Sequence, residues 1–485
     1  MLLSQFEEVR NNIRHNLAFD DQINAEESKK KGKERRKLVP RTSQGVWQPS
    51  QDRANPVELL VSQGASRVPE LLPIRYERMA ESPFTFYRGS ALVMANDLSA
   101  TPNTGINVQA CGDAHVSNFG LFQSPERRLV FDINDFDETL RGPWEWDVKR
   151  LAASIEICAR QRKFTAEQRR SAVLATAYAY RNAMNNFAEM GTLEVWYAHA
   201  DVESLSANIA QQISKEARKN ATKAISKARR KNSSRAISKL TEFEDGKLRI
   251  ISQPPLIVPM RDLLQESSDP LIANHSEKEY ERFIALVLAE YRKSLSRDKQ
   301  HLVKQYRAVD IARKVVGVGS VGTRAWIVVM EGSSASDMLV LQIKEAQESV
   351  LERYVGRSLF LQHGQRVVEG QRAMQTAGDI FLGWTRALGL DGKFHDFYVR
   401  QLWDGKGSFD LETITADSLT VLGKVCGWTL AHAHARTGNR FAIAGYLGKS
   451  ETFDQAMLTF AQSYADQNER DYQAFMRAFG EGELT

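Results

Sequence analysis

Residues 110–137 read ACGDAHVSNFGLFQSPERRLVFDINDFD and gather the side chains best suited to chemistry in this chain. Asp113 and Asn118 stand in D-x-x-x-x-N spacing, and Asp135 follows an apolar run. A carboxylate that orients the proton of an attacking hydroxyl, an amide oxygen and a later carboxylate are the hard oxygen donors from which phosphoryl-transfer sites are built. The same spacing also describes a Gly/Asp turn followed by a strand and an acidic hairpin, so the neighbouring residues must decide. Within DINDFDE, Asp132 and Asp137 rival Asp135 as metal ligand, and the residues alone leave that choice open.

A second stretch, Val315–Ala346, reads VVGVGSVGTRAWIVVMEGSSASDMLVLQIKEA. Its Gly317-x-Gly319-x-x-Gly322 pattern is weak by itself, and the absence of a crossover helix after it argues against a dinucleotide site. A strand, a glycine-rich turn and a further apolar strand carrying Lys344 instead form the arrangement that covers and contacts nucleotide phosphates. Glycine suits that turn because backbone N–H groups must approach phosphate oxygens without an intervening Cβ. Downstream, Glu369 is the expected partner of Lys344, in preference to Glu345 or Glu348. Arg88, in FTFYRG, is read as either a phosphate or substrate contact or a member of a buried ion pair. His432 and His434 are two apart on an apolar helix and share no face, so they read as core or capping residues rather than metal ligands.

The elements that must position these residues are legible in outline. Residues 1–55 read as a polar arm, with order starting near Pro56, and segment 84–95 is ambiguous between strand and helix. Ile106–Ala110 and Leu129–Ile133 read as strands flanking the Asp113/Asn118 loop. Helices are expected from Asp147 to Ala159, from about Ala166 to Ala200, and over 277–313. EDGK at 244–247 signals a hairpin. Ser349–Gly378 reads as helical, Ile380–Trp384 and Phe397–Leu402 as strands, and Leu419–Ala435 as an apolar helix.

Taken together, the motifs resemble the aminoglycoside- and choline-kinase branch of the protein-kinase-like superfamily. Its H-G-D-x-H-x-x-N pattern is matched by Cys111-Gly-Asp113-x-His115-x-x-Asn118, with cysteine in the first position, and its I-D-F by Asn134-Asp135-Phe136. Asp147, twelve residues after Asp135, falls where that branch braces its catalytic loop. From roughly Pro56 onward the chain also resembles the bacterial domain-of-unknown-function family 2252, through RYERM, SPFTFYRG, GDAHVSNFG, NDFDET, WDVKRLA, GVGSVGTR and LAHAHAR. The glycine-rich loop and lysine follow the catalytic loop instead of preceding it, which a circular permutation explains, with the LAHAHARTGN helix standing in for the one that normally runs into that loop.

The resemblance implies an α+β, two-lobed, kinase-like fold. A large lobe would span 56–311 and a five-stranded small lobe with one helix 312–405, before a helical return over 406–485. It further implies ATP and Mg²⁺. Asp113 would orient the nucleophile, Asn118 and Asp135 would hold metal, Lys344 fixed by Glu369 would contact the α/β-phosphates, and Gly317, Gly319 and Gly322 would cover the phosphates. Phosphotransfer to a hydroxyl of a small molecule or protein is the leading expectation. A nucleotidyl transferase on the same fold and a non-catalytic nucleotide-binding or interaction module are the alternatives.

Composition limits the remaining possibilities. The 485 residues are 42% apolar and 26% charged, enough for sizeable cores. No apolar run reaches membrane-spanning length, and MLLSQFEEVRNNIRHN is unlike a secretory signal, so the cytoplasm is the expected compartment. Cys111, Cys158 and Cys426 are too few and scattered for a disulfide framework, and read as reduced and buried. The net charge of +5 is mild. Basic runs at Lys29–Arg41 and Lys215–Lys239 lend nucleic acid only weak support as a partner, because no aromatic residues interleave them.

Overall fold

The structure, a computed structural model, describes residues 24–202, 215–230, 233–244, 246–266, 277–315, 317–389, 391–402 and 405–482. It is an α+β fold in which antiparallel sheets join a large helical assembly. Four short strands surround the Asp113 loop: β1 (Asn107–Ala110), β2 (Phe119–Gln123), β3 (Leu129–Ile133) and β4 (Leu140–Pro143). The runs before and after the loop are strands, as expected, yet they do not pair with each other. β1 pairs with β4, while β2 pairs with β3, whose other edge takes β5 (Ala200–Asp201). The EDGK hairpin forms from β6 (Thr241–Glu244) and β7 (Lys247–Ile250).

The main sheet contains β8 (Ile257–Pro259), β9 (Arg307–Lys314), β10 (Ala325–Glu331), β11 (Met338–Glu345), β12 (Gly383–Leu388) and β13 (Phe394–Gln401). Its order is β12-β13-β11-β10-β9-β8, antiparallel throughout. Six strands therefore replace the expected five, and the sheet begins at residue 257, ahead of the expected 312. Helix was expected through 313, but helices end at Val303 and β9 follows. Its sequence, RAVDIARK, has β-branched residues only at Val309 and Ile311, so the preceding helical periodicity masked it. One face of the sheet is covered by Leu288 and Tyr291 of the Glu277–Lys293 helix and by Leu295 just beyond it. The other carries Ala236 and Leu240, from the second of the two basic helices, Lys215–Arg229 and Ser233–Leu240. Part of the basic stretch is thus a structural backing for the sheet.

The helical assembly centres on Trp144–Gln161, in which every residue from Trp144 to Ala159 is buried. A helix buried on all sides forces its ionic side chains inward, where each needs a partner. Asp147 and Arg150 are two of them, and they meet the Asp113 loop. The segment 84–95 resolves into the helices Pro83–Gly89 and Ala91–Ser99.

Of the expected N-terminal arm, residues 1–23 lie outside the described residues, and the rest is ordered against the core. The Ala25–Leu38 helix crosses the Arg440–Leu447 helix at two glycines. A Cβ at Gly32 would lie 2.0 Å from the Ala442 carbonyl oxygen, and one at Gly445 would lie 2.3 Å from that of Lys29. Arg36 donates to the carbonyls of Gly445 and Tyr446, and Arg41 to that of Leu447, so basic residues cap a helix C-terminus. Arg53 joins Asp97 and Asp471 at 2.6 Å each. Apolar periodicity could not reveal this packing, because the contact is made by glycines and arginines. Among the described residues no helix is long and apolar enough to cross a membrane, and all three cysteines are free and buried.

Candidate functional site

The loop between β1 and β2 is held from below by one carboxylate. Asp147 accepts the backbone N–H groups of Cys111 at 2.6 Å and Gly112 at 2.9 Å, and His434 Nε2 lies 3.1 Å from the same group. Gly112 has φ +82°, and a Cβ there would lie 2.3 Å from the Glu138 carbonyl oxygen, so glycine is required on both counts. His434 also meets Tyr180 Oη at 2.8 Å, and His432 meets the Val195 carbonyl oxygen at 2.9 Å. Both are buried core histidines.

Above this brace, Asp113 Oδ1 accepts from Arg150 Nε at 2.5 Å. Burial pushes the Asp113 carboxyl above its ordinary pKa even against Arg150. His115 Nε2 is 3.6 Å from Asp113 Oδ2, but burial and then the charges of Arg88 and Arg150 drive its pKa far down, so it is a neutral imidazole. Asn118 donates through Nδ2 to the Asp113 carbonyl at 2.7 Å, which ties the two ends of D-x-x-x-x-N together. The amide oxygen takes no part in that bond.

The three acidic rivals separate cleanly. Asp132 belongs to β3 and is fully shielded from the cleft; burial raises it to about 7, opposed by its hydrogen bond to Ile133 N–H and by Arg436. Asp135 and Asp137 lie beyond the end of β3, and both line the cleft. Asp137 is saturated: it accepts from Lys344 Nζ, from Tyr398 Oη at 2.8 Å and from Ser320 Oγ at 3.1 Å. Asp135 keeps 31% of its side-chain surface open and lies 3.5 Å from Lys344 Nζ. Burial alone would raise Asp135, but Lys344, Arg400 and Lys406 prevail and hold it below the usual carboxylate range. Its side chain is only slightly more open than that of Asp137, at 25%, and it has fewer side-chain partners.

Lys344 sits on β11, opposite Ala325 and Tyr398. Burial works against its charge, yet Asp135 and Asp137 keep it above the ordinary lysine range. Glu369 does not reach it. That residue pairs with Arg372 at 3.1 Å on the solvent side of the His363–Met374 helix, while the buried side of the helix presents Arg366. Arg366 donates to the carbonyls of Thr139, Asp137 and Gln347. The helix therefore grips the backbone of the acidic turn instead of the lysine. Glu345 is turned to Arg324 and His395.

Residues 317–324, which lead into β10, line the cleft. Gly317 (φ +66°) and Gly319 line it, whereas Gly322 (φ +89°) is turned toward Arg67, whose Cβ would stand 3.0 Å from a Cβ at 322. The loop is latched to the helical assembly. Val68 N–H donates to the Gly322 carbonyl at 2.8 Å, Arg67 to that of Val321 and Arg78 to that of Gly317. Val318 is buried in a socket with Leu60, Tyr76, Met79, Phe86 and Phe475. Val318→Ala is expected to weaken this latch by about 1–2 kcal/mol, the value of two buried methyl groups. Val318→Asp should release it, because a carboxylate in that socket has no partner. Hydrogen exchange over 317–324 should accelerate in both variants, most in Val318→Asp; unchanged exchange would show that the loop is held elsewhere.

Between these parts lies a cleft of about 1020 Å³, lined by Asp113, Asn118, Asp135, Gly319, Arg67 and Arg88 among others. Behind Lys344 the space is filled: Arg400 donates to Gln342 at 2.9 Å and to the Asn134 carbonyl at 3.2 Å. The open volume therefore extends forward, beneath the glycine-rich loop and past residues 345–350. Among the described residues no group of three or more His, Cys, Asp or Glu side chains is placed to hold a metal ion alone. Asn118 and Asp135 supply two oxygen donors at one wall. Such a pair suits a cation that keeps waters and binds phosphate oxygens, as Mg²⁺ does, rather than one caged by protein.

A family model described as "Uncharacterized protein conserved in bacteria (DUF2252)" matches residues 67–478. The chain belongs to this family. The DUF2252 match opens at Arg67, under the glycine-rich loop, and contains Asp113, Asn118, Asp135, Lys344 and the brace Asp147. Searches of curated proteins and of solved structures return no match. In this DUF2252 chain, Arg150, Ser320, Arg366 and Tyr398 are the site residues that sequence reading missed. Arg150 had a usable signal, since Asp147 and Arg150 are three apart and share a helix face. Tyr398 had none without the pairing of β11 and β13.

Proposed function

We propose that this chain is an ATP- and Mg²⁺-dependent phosphotransferase of a circularly permuted, kinase-like kind, which moves a phosphoryl group to a hydroxyl of a small molecule or protein. The observation that carries this reading is the meeting of the buried Lys344 with Asp135 at 3.5 Å, where Asp135 lines one cleft with Gly317, Gly319, Asp113 and Asn118. Lysine, glycine-rich loop and acidic turn come from distant parts of the chain: Lys344 and Asp137 are 207 residues apart. Their convergence on one cleft is what a phosphoryl-transfer site requires.

In this reading Asp113, raised by burial and oriented by Arg150, accepts and orients the hydroxyl proton of the acceptor. Lys344 holds phosphate oxygens, and the backbone of Gly317 and Gly319 covers them. Asn118 and Asp135 would hold the metal, which would supply positive charge to offset that of the phosphate oxygens. Arg366 takes over the bracing that Glu369 was expected to provide, acting on the acidic turn. A nucleotidyl transferase is the second reading. It is favoured by Arg400 and Lys406, two cations that act on Asp135. The mass gained by the product, one phosphate or one AMP, separates the two.

Calorimetric titration of ATP with and without Mg²⁺ tests the proposal. Wild type is expected to bind ATP more tightly with the metal, and Asp135→Ala to lose that gain while remaining folded, because Lys344 keeps Asp137 as its partner. Equal Mg²⁺-dependent affinity in both proteins would remove Asp135 from the site, and no ATP binding by wild type would overturn the reading.

A further inference from the structure

Arg88 is a partly buried cation at the cleft. It lies in the last turn of the Pro83–Gly89 helix and lines the cleft. Its Nε is shielded from solvent and has no hydrogen-bond partner. An unpartnered Nε is not peculiar to Arg88, since those of Arg67 and Arg366 are unpartnered too, but among the described residues the Arg88 guanidinium makes no hydrogen bond or ion pair at all, whereas Arg150 is bonded to Asp113, Arg366 to three carbonyls and Arg67 to Val321. Asp113 and Asp135 attract it electrostatically, but neither comes within ion-pair distance. A shielded donor left unsatisfied is costly, and one that faces a cleft is placed for a ligand to complete it.

Its location indicates which ligand. The Arg88 carbonyl oxygen is 3.5 Å from where a Cβ at Gly319 would be, so Arg88 lies directly under the phosphate-covering loop. On its other side are Asp113 and Asp135. Three carboxylates, Asp113, Asp135 and Asp137, line this part of the cleft with Arg88, while Arg150 and Lys344 are buried behind them. Two of those cations are engaged with the carboxylates; Arg88 is the one whose donors are uncommitted. A bare anion gains little from such a balanced cluster. An anion that arrives with a divalent cation gains from both, the cation going to Asn118 and Asp135 and the anion to Arg88. The planar guanidinium fork matches two oxygens of one phosphoryl group.

We propose that Arg88 is the receptor for a terminal phosphoryl group entering the cleft as a metal complex, the group that would be transferred. The inference rests on the phosphotransferase reading for the identity of the donor as a nucleoside triphosphate. The phosphoryl site itself is defined by Arg88, the loop above it and the carboxylates beside it.

The test is calorimetric titration of wild type, Arg88→Gln and Arg88→Lys with ATP, ADP and pyrophosphate, each with Mg²⁺. Wild type should prefer ATP over ADP by about 10–100-fold, the range for one charge-assisted contact. Arg88→Gln should bring the ratio close to one with ADP affinity nearly unchanged, and Arg88→Lys should fall between. Thermal unfolding without ligand supplies a readout that a merely structural arginine would not give. Because Arg88 has no partner to lose, Arg88→Gln should melt at or above the wild-type temperature. A lower melting temperature together with equal losses for ATP and ADP would overturn the proposal, as would an unchanged ratio. If wild type binds neither nucleotide, the phosphotransferase reading fails separately and pyrophosphate decides for Arg88. Binding by wild type that Arg88→Gln abolishes upholds the phosphoryl site; no binding, or equal binding, removes it.

Discussion

Asp113→Asn is expected to reduce phosphoryl transfer by about 10² to 10⁴-fold, the contribution of a positioned general base. The substitution preserves shape, and its Oδ1 still accepts from Arg150 Nε, so the loop is retained while the charge that attracts the hydroxyl proton is lost. Arg150 remains anchored by its bond to the Tyr87 carbonyl at 3.0 Å and by its stacking 4.3 Å over the Tyr87 ring. ATP affinity should therefore change little, because in the proposed site Lys344 and Asp135, not Asp113, serve the phosphates and the metal. ATP-dependent transfer of label to a pool of metabolites and lysate proteins, compared with ATP titration of the same samples, separates chemistry from binding. Activity equal to wild type would take Asp113 out of the mechanism. Tight ATP binding without transfer by wild type would favour the non-catalytic module.

Asp147→Ala is expected to be the most destabilising single change at the site, by about 3–5 kcal/mol. The carboxylate is buried and serves three donors: the N–H groups of Cys111 and Gly112, and His434. Alanine orphans all three in a place water does not reach. Asp147→Asn retains one acceptor oxygen and should cost less. Denaturant unfolding monitored by tryptophan fluorescence provides the comparison, with Trp144 and Trp146 nearby on the same helix. A loss of less than about 1 kcal/mol in Asp147→Ala would mean that the loop is held by its own turn rather than by this brace.

How much of the site was readable follows from the range of each interaction. Asp113, Asn118 and Asp135 were legible because their spacing is local, and the Asn118 bond to the Asp113 carbonyl spans only five residues. Asp147 and Arg150 carried a helical i, i+3 signal. Lys344 was legible as a lysine on an apolar strand after a glycine-rich turn. Its partner was not. A glutamate on the following helix was the expected ion pair, but that helix turns Glu369 outward and Arg366 inward, a rotation set by packing of Val367, Val368 and Met374 that the polar residues do not announce. The choice among Asp132, Asp135 and Asp137 depended on where β3 ends. Asp132 lies within the strand, buried and away from the cleft lining, and Asp135 and Asp137 lie in the turn beyond it.

The sequence by itself determined family membership over residues 67–478, the alternation of helices and strands along most of the chain, and the set of oxygen and lysine side chains available for phosphate chemistry. These are properties of local pattern, in which periodicity and short spacing dictate backbone conformation and which residue types stand together. Only the tertiary structure decided that Lys344 meets Asp137 and Asp135, that the basic N-terminal residues cap a helix 400 positions away in the chain as Arg36 does with Gly445, and that Arg88 is left without a partner. The physical reason is common to all three. Charged side chains declare the need for a partner but not its address, and which charge meets which is settled by how sheets and helices pack their apolar faces.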